Sequence, residues 1–167
     1  MGSLRKDVCA RFCHSSSYRH TIQRGKTGGM RPTIEHERAS VYCVLLSEDD
    51  AGVRRSLQLL LRSKGFQVRS YTTAKALLLD PGSQCGDCLV VDYRMPDVDG
   101  ITMLLALRAA GWSKPAILIT GHFSEELAHR AYEAGFSDVL EKPLGEHVLL
   151  ATINRLLKES ANDRCIC

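Results

Sequence analysis

The sequence lacks any apolar run that approaches the roughly 18 residues of a membrane-spanning helix, so we expect no membrane association. It also lacks the apolar core of a secretory signal, although its first 40 residues have the Arg- and Ser-rich composition of a transit peptide. Gly2 is followed by Lys6 at the position where N-myristoylation requires Ser or Thr. These absences favour a cytoplasmic protein.

The seven cysteines lack the spacing of a zinc site. Cys85 and Cys88 form one C-x-x-C pair, but no second pair and no His pair follows at zinc-finger distance. Cys43 and Cys88 lie in apolar runs, where a free cysteine behaves as a small hydrophobic residue. We therefore favour reduced, unliganded thiols, with redox or metal chemistry of the C-x-x-C pair as the alternative.

An excess of basic over acidic residues is confined to the N-terminal segment. Residues 1–40 carry eight Lys or Arg against three acidic residues, whereas 41–167 carry 14 basic and 16 acidic residues. Residues 1–40 also show no apolar periodicity, which predicts a flexible basic tail. Few aromatic residues separate the basic ones in this tail, so a nucleic-acid-binding role has weak support, and the domain itself is not expected to bind DNA.

From residue 41 onward, apolar segments typical of strands alternate with helical segments. This alternation predicts an α/β domain over 41–158, with a parallel sheet covered by helices on both faces, followed by a short tail at 159–167. We place strands over 41–46, 66–71, 88–92, 115–120 and around 139–140, and helices over 53–61, 73–79, 99–110, 124–134 and 146–158.

The third predicted strand ends in a lone carboxylate. Cys88 to Val91 is typical of a strand buried on both faces, and the turn residues that follow Asp92, Pro96 among them, prevent the strand from continuing. Asp92 is thereby placed at the carboxyl end of a central strand, where open α/β sheets carry their functional residues. A carboxylate there is costly unless it binds a cation or reacts.

Polar residues follow three other strands as well: Glu48 and Asp49 after the first, Thr120 after the fourth and Lys142 after the fifth. Taken singly, such residues are more often turn or cap residues, and Asp49 or Asp50 could simply cap a helix. Together they converge at one edge of a parallel sheet, where three mutually repelling carboxylates suit Mg²⁺. Lys142 and Thr120 would then help to stabilise a phosphoryl group carried on Asp92.

The motifs around these residues resemble those of a known family. Val-Arg-Arg-Ser-Leu, Val-Asp-Tyr-Arg-Met-Pro-Asp-Val-Asp-Gly, Ile-Thr-Gly-His and Leu-Glu-Lys-Pro-Leu follow one another as in receiver domains of two-component response regulators. They are especially similar to the FixJ-type branch of LuxR-family regulators. The resemblance implies a flavodoxin-like (CheY-like) doubly wound (βα)5 fold with strand order 2-1-3-4-5.

The resemblance also implies roles for individual residues. Asp92 would be the phospho-acceptor, Glu48, Asp49, Asp92 and the backbone carbonyl of Arg94 would bind Mg²⁺, and Thr120 would be the switch hydroxyl. Lys142 would be the family's lysine, whose bond to the following proline is usually cis. His122 would have a role in its loop or would modulate the site.

The implied function is that of a signalling switch rather than an enzyme. A sensor histidine kinase would phosphorylate Asp92, and the phosphorylated chain would control transcription, with dimerisation through the face formed by the fourth helix, fifth strand and fifth helix as a possible step. A phospho-aspartate hydrolase is disfavoured because Arg94 stands where such enzymes carry a second aspartate. No helix-turn-helix output domain fits before Cys167, so we expect a stand-alone receiver or a fragment.

Two departures from the family pattern support an alternative. Glu48 stands where Asp is commoner, which should alter the metal affinity. Val139 stands where Tyr or Phe usually reports phosphorylation, and Val cannot swing between buried and exposed positions as a ring does. The alternative is a degenerate receiver that acts as a phosphorylation-independent interaction module.

Overall fold

The structure is a computed structural model that describes residues 41–163, so the predicted flexible tail at 1–40 lies outside the described residues. In this range strands and helices alternate as the sequence predicts. They are β1 (Cys43–Ser47), α1 (Ala51–Ser63), β2 (Gln67–Tyr71), α2 (Ala74–Leu79), β3 (Cys88–Asp92), α3 (Gly100–Ala109), β4 (Ala116–Thr120), α4 (Glu125–Glu133), β5 (Asp138–Glu141) and α5 (Glu146–Asp163).

The five strands form one sheet in the order β2-β1-β3-β4-β5, and every neighbouring pair is parallel. The predicted fold class and strand order are therefore confirmed. Because all strands run in one direction, their carboxyl ends lie at the same edge of the sheet.

Both faces of the sheet are buried, which explains why the central strands are almost wholly apolar. Alternate residues of a strand point to opposite faces. Leu45 packs into one hydrophobic cluster with Leu77, Leu104 and Leu127 of α2, α3 and α4. Residues on the other face of the sheet pack with α1 and α5 in a second cluster, whose members include Val44, Leu46, Leu57, Leu61, Leu149 and Ile153.

Short polar side chains set the starts of the helices. Asp50, Thr73, Asp99 and Ser124 each accept a hydrogen bond from a backbone N–H of the first turn, at α1, α2, α3 and α4 respectively. The capping interpretation thus holds for Asp50, while Asp49 remains available to the site at the end of β1. The helix predicted over 73–79 accordingly begins after its cap at Thr73.

The last helix is longer than the sequence predicts. Helix α5 continues to Asp163 rather than ending at Lys158. Nη1 of Arg155 lies 3.4 Å from Oε1 of Glu159 in an i,i+4 ion pair that supports the extension.

Among the described helices none has the length and apolar character needed to cross a bilayer.

The prediction of reduced cysteines is wrong for Cys85, which is disulfide-bonded. The spacing of cysteines along the sequence indicates only whether neighbouring cysteines could bind a metal or pair, whereas a disulfide depends on distances that the fold sets. Cys43 and Cys88 are free and buried, as predicted, and burial raises the pKa of the Cys88 thiol to about 12. The two cysteines of the C-x-x-C pair are therefore not bonded to each other.

Candidate functional site

Three carboxylates meet at the carboxyl edge of the sheet. Asp92 is the last residue of β3, and Glu48 and Asp49 directly follow β1, the strand that pairs with β3. Each of the three offers an oxygen within 4.8 Å of the other two. Glu48 is 1% exposed and Asp92 is 8% exposed, whereas Asp49 is open to solvent.

This donor set fits a hard divalent cation. All three ligands are carboxylate oxygens, which Mg²⁺ prefers, and the exposure of Asp49 leaves room for water ligands on one side. A cation would also relieve the repulsion between the buried carboxylates of Glu48 and Asp92. The residues present are therefore consistent with the predicted Mg²⁺ site.

Lys142 projects into the acidic cluster from the end of β5. Its Nζ donates to Oε2 of Glu48 at 2.9 Å and lies 3.2 Å from Oδ2 of Asp92. Burial by itself would lower the pKa of Lys142, but the hydrogen bond to Glu48 and the two negative charges outweigh it and raise the pKa. The Lys142-Pro143 peptide bond is cis, as the family resemblance implies.

Glu48 is the most buried acid of the cluster, and both of its carboxylate oxygens accept hydrogen bonds. Oε2 accepts from Lys142, and Oε1 accepts from the backbone N–H of Asp50 at 3.3 Å. Burial raises the pKa of Glu48, and the charge of Asp92 raises it further, although the bond to Lys142 partly offsets the shift. Glu48 is therefore held in place by Lys142 and by its own loop.

Thr120 ends β4 beside the cluster, but its hydroxyl is engaged by the next loop. Oγ1 donates to the carbonyl of His122 and accepts from the N–H of His122, both at 3.1 Å. The following N–H, of Phe123, donates to Oε1 of Glu141 on β5 at 3.4 Å. The observed contact of His122 with the site is thus a backbone contact within its loop.

Arg94 lies in the exposed loop after β3, two residues beyond Asp92. This loop closes on itself through a hydrogen bond from the N–H of Gly100 to the carbonyl of Tyr93. A Cβ atom at Gly100 would lie 2.8 Å from the backbone oxygen of Asp92 and 2.9 Å from Leu118. Gly100 therefore lets α3 begin directly against the strand that carries Asp92, a role that the sequence did not reveal.

Val139 lies in β5 at the position that the family usually gives to an aromatic ring. It is 8% exposed and packs in the cluster beneath α2, α3 and α4. A valine in this position has no exposed alternative to occupy, so it gives the site no rotating ring.

Two further contacts near the acidic pair were not predicted. Ser47 donates its hydroxyl proton to the sulfur of Met95 at 3.1 Å, joining the end of β1 to the loop after β3. Arg54 of α1 donates to the backbone carbonyls of Glu48 and Asp49. Only the Arg-Arg pair in the α1 motif pointed to this region, and nothing in the sequence showed which arginine faces the site.

Comparisons with known proteins agree with this geometry. The family model of the response regulator receiver domain matches residues 44–154. The chain is 39% identical over 119 residues to the transcriptional regulatory protein FixJ of Azorhizobium caulinodans, covering 68% of this chain and 54% of that protein. It is 35% identical over 128 residues to the response regulator protein TodT of Pseudomonas putida, covering 77% of this chain and 56% of that protein.

Solved receiver structures are similar as well. The structure described as FixJ-N is 36% identical, with a TM-score of 0.64, and the match covers 70% of this chain and 94% of that chain. The receiver domain of the Francisella response regulator 1452 is 26% identical, with a TM-score of 0.67, and the match covers 71% and 98%. The chain spans about half the length of the curated relatives it matches.

Proposed function

This chain belongs to the response regulator receiver domain family, and from that premise we propose that Asp92 accepts a phosphoryl group from a sensor histidine kinase. The observation that carries the proposal is the surroundings of Asp92. Its carboxylate lies with Glu48 and Asp49 in a group whose oxygens are within 4.8 Å of one another, and 3.2 Å from the Nζ of Lys142. The alternative role of a strand-end turn residue would not require this convergence.

The transfer is a substitution at phosphorus. A carboxylate oxygen of Asp92 attacks the phosphorus of a phosphohistidine on the kinase, and the new O–P bond forms as the P–N bond breaks. The imidazole leaves and takes up a proton, and the phosphoryl group remains on Asp92 as an acyl phosphate. Burial of Asp92 at the edge of the sheet limits competing contact with bulk water.

Glu48, Asp49, Asp92 and the backbone carbonyl of Arg94 would hold Mg²⁺ in this proposal. When bound, the cation supplies positive charge that offsets the negative charge developing on the phosphoryl oxygens. Lys142 is already within reach of Asp92 and can donate to one of those oxygens. Thr120 can donate to another once its hydroxyl leaves the backbone of His122.

The phosphorylated chain would act as a cytoplasmic signalling switch, not as an enzyme with its own turnover. The similarity to the transcriptional regulatory protein FixJ supports transcription as the process controlled. Phosphorylation would shift an equilibrium between two states of the α4-β5-α5 face, with a homodimer through that face as the phosphorylated form. Direct DNA binding by this chain is not part of the proposal.

A degenerate receiver that binds partners without phosphorylation is the second candidate. Two observations favour it: Val139 provides no movable ring, and Lys142 already donates a hydrogen bond to Glu48, one of the three acids of the proposed cation site. Chemical-shift changes around Asp92 on adding Mg²⁺ would count against this candidate, because an interaction module needs no cation at that edge.

Labelling by acetyl phosphate in the presence of Mg²⁺ tests the primary proposal. The wild-type chain should take up one phosphoryl group, and Asp92→Asn should take up none. Asp99→Asn is the matched control because Asn preserves the helix cap in the same stretch of chain, so it should label like wild type. Labelling that persists in Asp92→Asn would overturn the assignment of Asp92.

A further inference from the structure

One arginine holds the backbone of the acidic pair. Nη1 of Arg54 donates to the carbonyl oxygen of Glu48 at 2.9 Å and to the carbonyl oxygen of Asp49 at 3.0 Å. A single donor nitrogen that bonds both carbonyls fixes the peptide groups on either side of Asp49, among them the Glu48–Asp49 peptide. That peptide joins two of the three carboxylates of the proposed metal site.

Among the described residues, other hydrogen bonds hold Glu48 and Asp50 but not the carboxylate of Asp49. The N–H of Glu48 donates to the carbonyl of Tyr71 on β2, and the N–H of Arg54 donates to the carbonyl of Asp50. The Asp50 side chain is engaged at the start of α1. For Asp49 the structure shows a contact to its carbonyl but, among the described residues, no hydrogen bond to its carboxylate, so Arg54 sets the position of this acid through the main chain.

The charge of Arg54 is directed at carbonyl oxygens and not at the acids. Among the ion pairs of the described residues none joins Arg54 to a carboxylate, whereas Lys142 contacts both Glu48 and Asp92. Arg54 therefore leaves the carboxylates of Glu48, Asp49 and Asp92 to other partners, a cation among them. Arg54 combines an orienting contact with a positive charge that by itself would repel a cation.

We propose that Arg54 is a positioning residue of the Mg²⁺ site, which acts by holding the Glu48–Asp49 peptide so that both carboxylates face Asp92. This inference rests on the proposed function, since it concerns the same site. Groups that orient metal ligands without touching the metal commonly change its affinity by about 10- to 100-fold when they are removed. We expect an effect of about 10-fold here, because Glu48 keeps its bonds to Lys142 and Asp50.

The test measures binding of Mn²⁺, an oxygen-seeking stand-in for Mg²⁺, from the electron paramagnetic resonance signal of the free ion. The variants are Arg54→Ala, Arg54→Lys and Arg55→Ala in the full chain. Arg55→Ala is the matched control because Arg55 is the exposed neighbour of Arg54 in the same helix and its replacement removes the same charge. Unfolding by urea without metal shows whether each variant is folded.

The sign of the change separates the two possible roles of Arg54. Loss of positive charge alone should tighten Mn²⁺ binding in both alanine variants, and more strongly for the nearer Arg54. Positioning predicts instead that Arg54→Ala binds Mn²⁺ about 10-fold more weakly than Arg55→Ala, and that Arg54→Lys recovers part of the loss by donating again to the carbonyls. If Arg54→Ala bound Mn²⁺ as tightly as Arg55→Ala, or more tightly, the inference would be overturned.

Failure of the proposed function would give a different result in the same Mn²⁺-binding measurement from failure of the positioning role. If the wild-type chain bound no Mn²⁺, the metal site itself would be wrong, whatever the role of Arg54. If wild type bound Mn²⁺ and the Arg54 and Arg55 variants behaved alike, only the positioning role would be wrong. Should Arg54→Ala fail to fold, a wild-type affinity in Arg54→Gln, which removes the charge and most of the reach, would refute the proposal in its place.

Discussion

Replacing Lys142 by Met should destabilise the fold, and more at alkaline than at acidic pH. The methionine keeps an apolar side chain of similar length but leaves Glu48 and Asp92 facing each other without a positive charge. The side chain of Glu48 is only 2% exposed, so water cannot take over the role of the lysine there. The pKa of Glu48 should rise further, because its hydrogen bond to Lys142 is one of the contributions that lower it.

The size of the effect follows from the burial of the pair. Removing one partner of a buried ion pair costs about 3–5 kcal/mol of unfolding free energy. The side chain of Lys142 is 26% exposed, so we expect the low end, about 3 kcal/mol, when Glu48 is ionised. When Glu48 is protonated, only the charge of Asp92 is left without its lysine partner, so the cost should fall below this value.

The direction of the pH dependence follows from the raised pKa of Glu48. A carboxyl group whose pKa is higher in the folded than in the unfolded chain holds its proton more tightly when folded. Its contribution to stability is therefore present at low pH and is lost as the pH rises from the ordinary value of 4.5 through the folded pKa. Lys142→Met should thus be more destabilising at about pH 8 than at about pH 5.

Urea unfolding of wild type, Lys142→Met and Lys158→Met at both pH values measures the effect. Lys158 is exposed on α5, so its replacement should change the unfolding free energy by less than about 0.5 kcal/mol at either pH. A loss for Lys142→Met that is equal at both pH values, or larger at the acidic one, would refute the argument from Glu48.

Two further predictions concern the packing that supports the site. Gly100→Ala should lower the unfolding free energy by about 1–3 kcal/mol, because its Cβ would lie 2.8 Å from the Asp92 carbonyl, whereas Gly121→Ala, with open space around its Cβ, should have little effect in the same urea titration. Trp112→Phe should cost about 1–3 kcal/mol, since it leaves the carbonyl of Gly86 without the indole N–H that lies 3.1 Å away. Tyr132→Phe, on an exposed ring, is its control, and an equal loss in both would contradict the role of the indole bond.

The sequence predicted the elements whose causes are local. The buried run before Asp92 and the helix that starts near Thr73 are read from neighbouring residues, whereas the strand order followed from the family resemblance. The placement of Glu48 and Lys142 at one edge also followed, because parallel strands end together.

What the sequence did not reveal depends on distances between segments far apart in the chain or on which way a side chain points. The close approach of Gly100 to the side chain of Leu118 on β4 is of the first kind. The choice of Arg54 rather than Arg55 as the arginine that faces the acidic loop is of the second kind. Nor did the sequence show that Glu48 uses its longer side chain to bond Lys142.

The most direct test of the central claim identifies the phosphorylated residue chemically. Treatment with acetyl phosphate and Mg²⁺ followed by borohydride reduces an acyl phosphate on aspartate to homoserine, and mass spectrometry of the peptides locates the change. We predict a homoserine at position 92 that requires both acetyl phosphate and Mg²⁺. A homoserine at any other aspartate, or none at position 92, would contradict the assignment of Asp92 as the phosphoryl acceptor.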